Sequence, residues 1–212
     1  VTQKVEAEWQ QIKAQLEVSE SRITDMVAEF APPAYDIKAA QDTTYTASLT
    51  NDSAFATWVK HNTAEHKVDG YRAVYISLKA PDVPPGDCTD SQLDAIANLA
   101  DDYSFGMVRT THRQNLVLAD IKQADLFALW QKLDTLSLAT PNIGKATDMI
   151  CCPGLDYCGL ANAGSIDIAQ NINDLLDSMD YIHDLGDLKI NISGCMNGCA
   201  HQSVGHIGIL GV

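Results

Sequence analysis

An α+β fold is what this sequence predicts, and three observations carry that prediction. Helical apolar periods and β-branched, aromatic runs follow one another through the first two-thirds of the chain. Turn-forming Pro, Gly and Asp clusters separate them, and after Pro141 the composition shifts to Gly, Asn, Asp and Cys.

The elements follow in order. Val5, Trp9, Ile12 and Leu16 recur at helical spacing, and Ser19 is placed to cap a second run with Ile23, Met26, Val27 and Phe30 before Pro32-Pro33 stops it. Residues 1–33 are thus expected to be a helical lead-in from a preceding domain. Asn51-Asp52-Ser53 is a helix start that would bury Phe55, Trp58 and Val59. Tyr71–Leu78 predicts a strand ending at the turn Pro84-Pro85-Gly86-Asp87, and Thr89–Tyr103 predicts a helix with Leu93, Ile96 and Leu99 on one face. Gly106–Thr111 and Leu116–Ile121 predict two further strands, and Ala124–Leu133 a helix. The order β-α-β-β-α within residues 34–141 describes a small sandwich of the ferredoxin-like kind. Residues 142–212 are expected to be a second domain or part of one. They carry a helix near Ile166–Met179, a short strand at Leu188–Ile192 and a strand at His206–Val212 that stops with no turn or polar tail, as in a chain cut from a longer protein.

Composition narrows the function classes. The 212 residues can bury a core without disulfide help, and no apolar stretch approaches the ~18–20 residues needed to span a bilayer. The opening VTQKVEAEWQQ lacks the basic tip and apolar core of a signal peptide, so a cytoplasmic location is expected. A formal charge of −14 repels phosphate backbones, which argues against nucleic acid and for a basic partner surface. After Lys145 only Lys189 remains, so the last third must meet anions through backbone N–H groups, Asn or His.

Four of the six cysteines form two pairs. Cys152 and Cys158 enclose five residues, Cys195 and Cys199 enclose three, and thirty-six residues separate the pairs. Four thiolates on two loops can surround an iron–sulfide cubane, since each iron takes one soft, anionic ligand. Glycines stand beside each thiol, where the backbone can approach closely and aim N–H groups at sulfur. A disulfide framework fits poorly, because nothing points to secretion and Cys151 and Cys152 are adjacent. A five-residue spacer is also atypical of structural zinc. Cys88 and Cys151 fit buried, inert thiols best, although spacing alone leaves open a register in which Cys151 replaces Cys152.

The run Cys152-x₅-Cys158 followed by Gly194-Cys195-Met196-Asn197-Gly198-Cys199 resembles the cluster motif of siroheme- and [4Fe-4S]-dependent nitrite and sulfite reductases. Phe55-x-x-Trp58, Gly70-Tyr71, Pro85-Gly86-Asp87 and Arg109-Thr110-Thr111-His112-Arg113-Gln114-Asn115 resemble the half-domain that precedes it, so the likeness covers roughly residues 50–212. It implies an α+β chain: a ferredoxin-like nitrite/sulfite reductase half-domain followed by part of a mixed α/β siroheme and 4Fe-4S-binding domain, truncated within residues 142–212. It also implies Cys152, Cys158, Cys195 and Cys199 as cluster ligands, with Cys199 bridging to the siroheme iron. The implied reaction is six-electron reduction of nitrite to ammonia or sulfite to sulfide, with electrons from ferredoxin or a flavoprotein.

Siroheme's carboxylates call for donors. A strand over Val108–Arg113 would put Arg109, Thr111 and Arg113 on one face, with the two guanidinium bases about 13 Å apart at ~3.3 Å per residue. Gln114, Asn115 and Asn197 join them as expected cofactor-binding residues, while His201 and His206 read as structural hydrogen-bonders. The family's substrate-facing Arg and Lys come largely from an N-terminal half missing here, so the isolated chain is expected to be inactive. The alternatives are an Fe–S electron carrier, a zinc-stabilised binding module, or a precorrin-modifying oxygenase of the same architecture.

Overall fold

The two opening apolar periods form α1 (Thr2–Leu16) and α2 (Glu20–Ala28). Between them the backbone extends at Glu17, and Ser19 caps α2, its hydroxyl accepting the Arg22 N–H at 3.3 Å. α2 stops short of Phe30, and no residue of either helix is buried. The computed structural model describes residues 1–40, 44–177 and 182–212. They divide into two compact units, Val1–Tyr35, which holds these helices, and Asp36–Val212.

The second unit begins with α3 (Ile37–Ala40), α4 (Thr44–Asn51) and α5 (Ser53–Asn62), the last capped by Asp52, whose carboxylate accepts the Phe55 N–H at 2.9 Å. There follow β1 (Thr63–Glu65), β2 (Tyr71–Ile76), α6 (Asp90–Tyr103), β3 (Arg109–Thr110), β4 (Leu116–Lys122) and α7 (Leu126–Thr135). α6 starts in a capping box between Thr89 and Gln92. The sheet runs β1-β2-β4-β3, antiparallel throughout. Helices α5, α6 and α7 bury Phe55, Trp58, Ile96, Leu129 and Leu133 against Val74, Ile76, Leu118 and Ile121. Phe55 meets Phe127 edge-on at 5.1 Å.

Three details depart from the periodic reading. α4 and β1 were not signalled, and Leu93 is 49% exposed although Ile96 and Leu99 are buried. The strand expected over Gly106–Thr111 is confined to Arg109–Thr110, so the face supposed over Val108–Arg113 does not form. Thr111 turns the chain instead: its hydroxyl accepts the N–H groups of Arg113 (3.2 Å) and Asn115 (3.1 Å).

Beyond Pro141, a second sheet forms from β5 (Ile150–Cys151), β6 (Ile190–Ser193) and β7 (Ile207–Leu210), in that order and parallel. α8 (Ile166–Asp177) packs on it through Ala169 and Ile172, and the expected end of this helix at Met179 lies outside the described residues. Alternation along β6 gives its two faces different work. Ile190 and Ile192 join Met149, Cys151 and Ala169 in an apolar cluster. Asn191 and Ser193, the intervening residues, hold the following loop: Asn191 Nδ2 donates to His201 O at 2.9 Å, and Ser193 Oγ accepts the Ala200 N–H at 3.2 Å.

Candidate functional site

Strand alternation separates the two adjacent cysteines. Cys151 points into the apolar cluster with Met149 and Ile192, where burial, reinforced by the neighbouring Cys152, pushes its thiol up to about 11 against the pull of Ser165. Cys152 points the other way, packed with Ile150 and Ala200. Its Sγ accepts the Gly194 N–H at 2.9 Å, a backbone donor next to Cys195.

The two cysteine loops touch. A Cβ on Gly194 would stand 2.8 Å from Ala163 O and 3.0 Å from Gly154 Cα, and one on Gly154 (φ +58°) would stand 2.8 Å from Ser165 N. Both positions therefore require glycine for the loops to meet. Asn162 and Ala163 add a seam by donating their N–H groups to Gly194 O at 2.9 and 3.1 Å. Cys195 is buried like Cys152, Cys158 is half-buried and Cys199 is exposed. Among the described residues no three His, Cys, Asp or Glu side chains gather closely enough to hold a metal ion. Two touching glycine-rich loops carry four thiols, none of them in a disulfide, and one already accepts a backbone N–H; these are donors of the soft kind that an iron–sulfur cluster takes, although the thiols are not gathered into one group among the described residues.

Residues 109–115 do other work than the expected strand face. Arg109 is exposed. Arg113 instead turns to Asp148: its Nε donates to Oδ2 at 3.1 Å and Nη2 to the backbone oxygen at 2.6 Å. Asn115 is buried, donating to Asp148 Oδ1 at 2.8 Å while its own oxygen accepts from the Leu78 N–H and Lys79 Nζ, both at 3.1 Å. Gln114 bonds the backbone of Cys151. The hinge-like spread of guanidiniums about 13 Å apart is therefore replaced by a clamp between the first sheet and the cysteine strand, because Thr111 ends the strand. Asn197 is exposed, and His206 Nδ1 accepts the Lys189 N–H at 3.0 Å.

At the centre of the clamp lie two residues with no motif to announce them. Lys79 and Asp148 have side chains with 0% exposure and pair at 2.9 Å. The Gly144 N–H also donates to Asp148, at 2.9 Å, and Lys79 Nζ donates to Arg113 O at 2.6 Å. Burial pushes the Lys79 ammonium below the usual lysine range, with Asp148 opposing that push.

Residues 65–136, which span most of this first sheet and two of its three covering helices, α6 and α7, match the family described as the nitrite/sulfite reductase ferredoxin-like half domain. Residues 65–136 thus form a ferredoxin-like half domain of the nitrite/sulfite reductase kind. Relatives include the assimilatory ferredoxin-dependent nitrite reductase of Haloferax mediterranei, 30% identical over 65% of this chain and 23% of the relative. The ferredoxin–nitrite reductase of Synechococcus elongatus is 33% identical over 61% and 25%, and the sulfite reductase [ferredoxin] of Mycobacterium tuberculosis is 30% identical over 69% and 28%. The solved structure of the M. tuberculosis NirA protein aligns with a TM-score of 0.52 at 28% identity, covering 66% of this chain and 25% of that one. The chain thus spans about a quarter of the length of the curated relatives it matches.

Arg113, Gln114 and Asn115 of the half domain hydrogen-bond Asp148 and the backbone of Cys151 in β5. For siroheme, Arg109 and Asn197 are the exposed side chains of the expected set, whereas Thr111, Arg113, Gln114 and Asn115 are engaged inside the fold. No helix among the described residues is long and apolar enough to cross a membrane.

Proposed function

We propose that this chain supplies the iron–sulfur part of a nitrite or sulfite reductase, with Cys152, Cys158, Cys195 and Cys199 holding a [4Fe-4S] cluster. The observation that carries the reading is the opposite facing of the adjacent cysteines: Cys151 is sunk in the core, whereas Cys152 faces the second cysteine loop and accepts the Gly194 N–H. When bound, the cluster supplies single electrons toward a reduction that consumes six in all.

The chain's own residues orient and shield. Gly154 and Gly194 let the two loops close on each other, Ser193 and Asn191 fix the loop between Cys195 and His201, and the Gly194 N–H lowers charge density on Cys152 Sγ. Residues 34–141 and 142–212 serve as half-domain and cluster-bearing segment, with residues 1–33 leading in. In the whole enzyme, Cys199 would also serve siroheme, with Arg109 and Asn197 the exposed side chains of the expected set, the substrate would be nitrite or sulfite, and ferredoxin, the donor named for the relatives, would deliver electrons. A cytoplasmic location accompanies this reading, and since the chain spans about a quarter of its relatives' length, the rest of that length is expected to be needed for turnover.

The test is iron, acid-labile sulfide and siroheme quantification on anaerobically prepared protein, with Cys151→Ala, Cys152→Ser and Cys199→Ser alongside. About four irons and four sulfides per chain, kept in Cys151→Ala and lost in Cys152→Ser, are expected for a [4Fe-4S] centre. Zinc without iron, or a cluster indifferent to Cys152, sinks the assignment.

A further inference from the structure

Strand β5 is two residues long and has a partner on one edge only. Cys152 N–H donates to Ile192 O at 3.0 Å, toward β6, so alternation turns the N–H and C=O of Cys151 to the opposite edge. No strand lies there among the described residues. A buried residue with both backbone groups unpaired would be costly.

Gln114 occupies that edge. Its Oε1 accepts the Cys151 N–H at 3.0 Å and its Nε2 donates to Cys151 O at 2.7 Å, so one side-chain amide makes both bonds that a neighbouring strand residue would make. The backbone is bent to allow this. Gln114 stands at φ +56°, a left-handed conformation unusual for a residue with a Cβ. Gly86, at φ +89°, clears the way: a Cβ there would stand 2.9 Å from Gln114 Cβ and 3.3 Å from its Cδ. Strain retained at one residue and a glycine reserved opposite it mark a position set by more than local preference.

We propose that Gln114 is a positioning residue for the cysteine centre: its amide caps the free edge of β5 and thereby sets where Cys152 Sγ stands against Gly194. This rests on Cys152 being a cluster ligand, but the clamp can be read without the cluster. Gln114 touches neither thiol; it acts through the peptide that joins Cys151 to Cys152.

Three variants separate position from fold. Gln114→Gly removes the amide while relieving the left-handed strain, so the fold should survive. Gln114→Glu keeps the acceptor for Cys151 N–H and loses the donor to Cys151 O. Gln114→Met keeps the length and loses both bonds. Hydrogen exchange followed by mass spectrometry on the cluster-free chain reads the Cys151 amide directly. At least tenfold faster exchange is expected in Gln114→Gly and Gln114→Met, with the wild-type rate in Gln114→Glu. In anaerobically loaded chain, Gln114→Gly should bind iron and sulfide but show a shifted reduction potential and altered electron paramagnetic resonance g-values, with Gln114→Glu closer to wild type in its g-values.

Unchanged exchange at Cys151 in Gln114→Gly overturns the clamp. Faster exchange with identical potential and g-values overturns the positioning role while leaving the ligand assignment standing. A wild-type chain that takes up no iron under loading overturns the ligand assignment and the positioning role together, and the exchange data still report whether the clamp exists.

Discussion

Asp148→Asn removes the only carboxylate facing Lys79 among the described residues and should destabilise the second unit heavily. The carboxylate is wholly buried and serves Lys79 Nζ (2.9 Å), Arg113 Nε (3.1 Å), Asn115 Nδ2 (2.8 Å) and the Gly144 N–H (2.9 Å). An amide can accept from some of these donors but carries no charge, and its NH₂ must face others. Breaking one partner out of a buried pair costs about 3–5 kcal/mol. An independent bound agrees: Lys79 can escape by losing its proton, which at pH 7 costs at most about 5 kcal/mol at roughly 1.4 kcal/mol per pH unit below its ordinary 10.5. Arg113, whose side chain is 15% exposed, can relax toward water and adds less. At roughly 2–4 °C per kcal/mol for a unit of this size, thermal unfolding by circular dichroism should fall by about 6–20 °C. Lys79→Met should cost less, since Asp148 keeps Arg113, Asn115 and Gly144. The double variant should be more stable than the two single losses predict, by about 1–3 kcal/mol. A loss below about 1 kcal/mol for Asp148→Asn, or strictly additive losses, would refute the clamp as a coupled ionic unit.

The remaining predictions concern the loops and one histidine. Gly154→Ala puts a methyl against Ser165 and Ala163 at a left-handed residue, and should cost about 2 kcal/mol or more in a denaturant titration and lower iron uptake. Cys151→Ala should lose only about 1 kcal/mol, measured by the same titration, because a small core thiol is replaced by a slightly smaller apolar group. His61 stacks on His183 at 4.6 Å; burial, then His183, Lys145 and Lys60, lower it to about 4, with Asp187 opposing. A folded value below the unfolded 6.5 means that the native state binds fewer protons in between, so stability falls as pH drops from about 6.5 toward 4. Since His61 is partly exposed, the loss should be about 1 kcal/mol, and His61→Gln should flatten the melting-temperature profile across that window.

What could be read in the sequence was what local chemistry sets. The run Asn51-Asp52-Ser53 marked a helix start that the Asp52 cap bears out, the apolar period after Thr89 gave a helix, and the β-branched run at Tyr71 gave a strand. What escaped was set by partners far along the chain. Lys79 and Asp148 lie 69 residues apart and neither sits in a motif, so their pairing had no local signal. The Arg109–Arg113 alternation misled because a threonine hydroxyl can stand in for a strand partner: Thr111 accepts two N–H groups and folds the run into a turn. The free edge of β5 could have been found from one hint, the Gln-Asn pair directly after that turn, since both side chains can mimic a peptide group.

The register of the cysteine pair is the point at which these distant contacts matter most. A two-residue strand cannot hold its own register, and a slip of one residue would exchange Cys151 and Cys152 between core and loop. Three constraints oppose the slip, each from a different part of the chain. β6 pairs Ile150 with Asn191 and Cys151 with Ile192, the apolar cluster around Met149 accepts a small thiol in place of a ligand, and Gln114 grips the peptide of Cys151 alone. All three lie outside the pairs Cys152–Cys158 and Cys195–Cys199. Cysteine spacing therefore leaves two registers open, and the ferredoxin-like half domain, through Gln114 and the Asp148 clamp, helps select one.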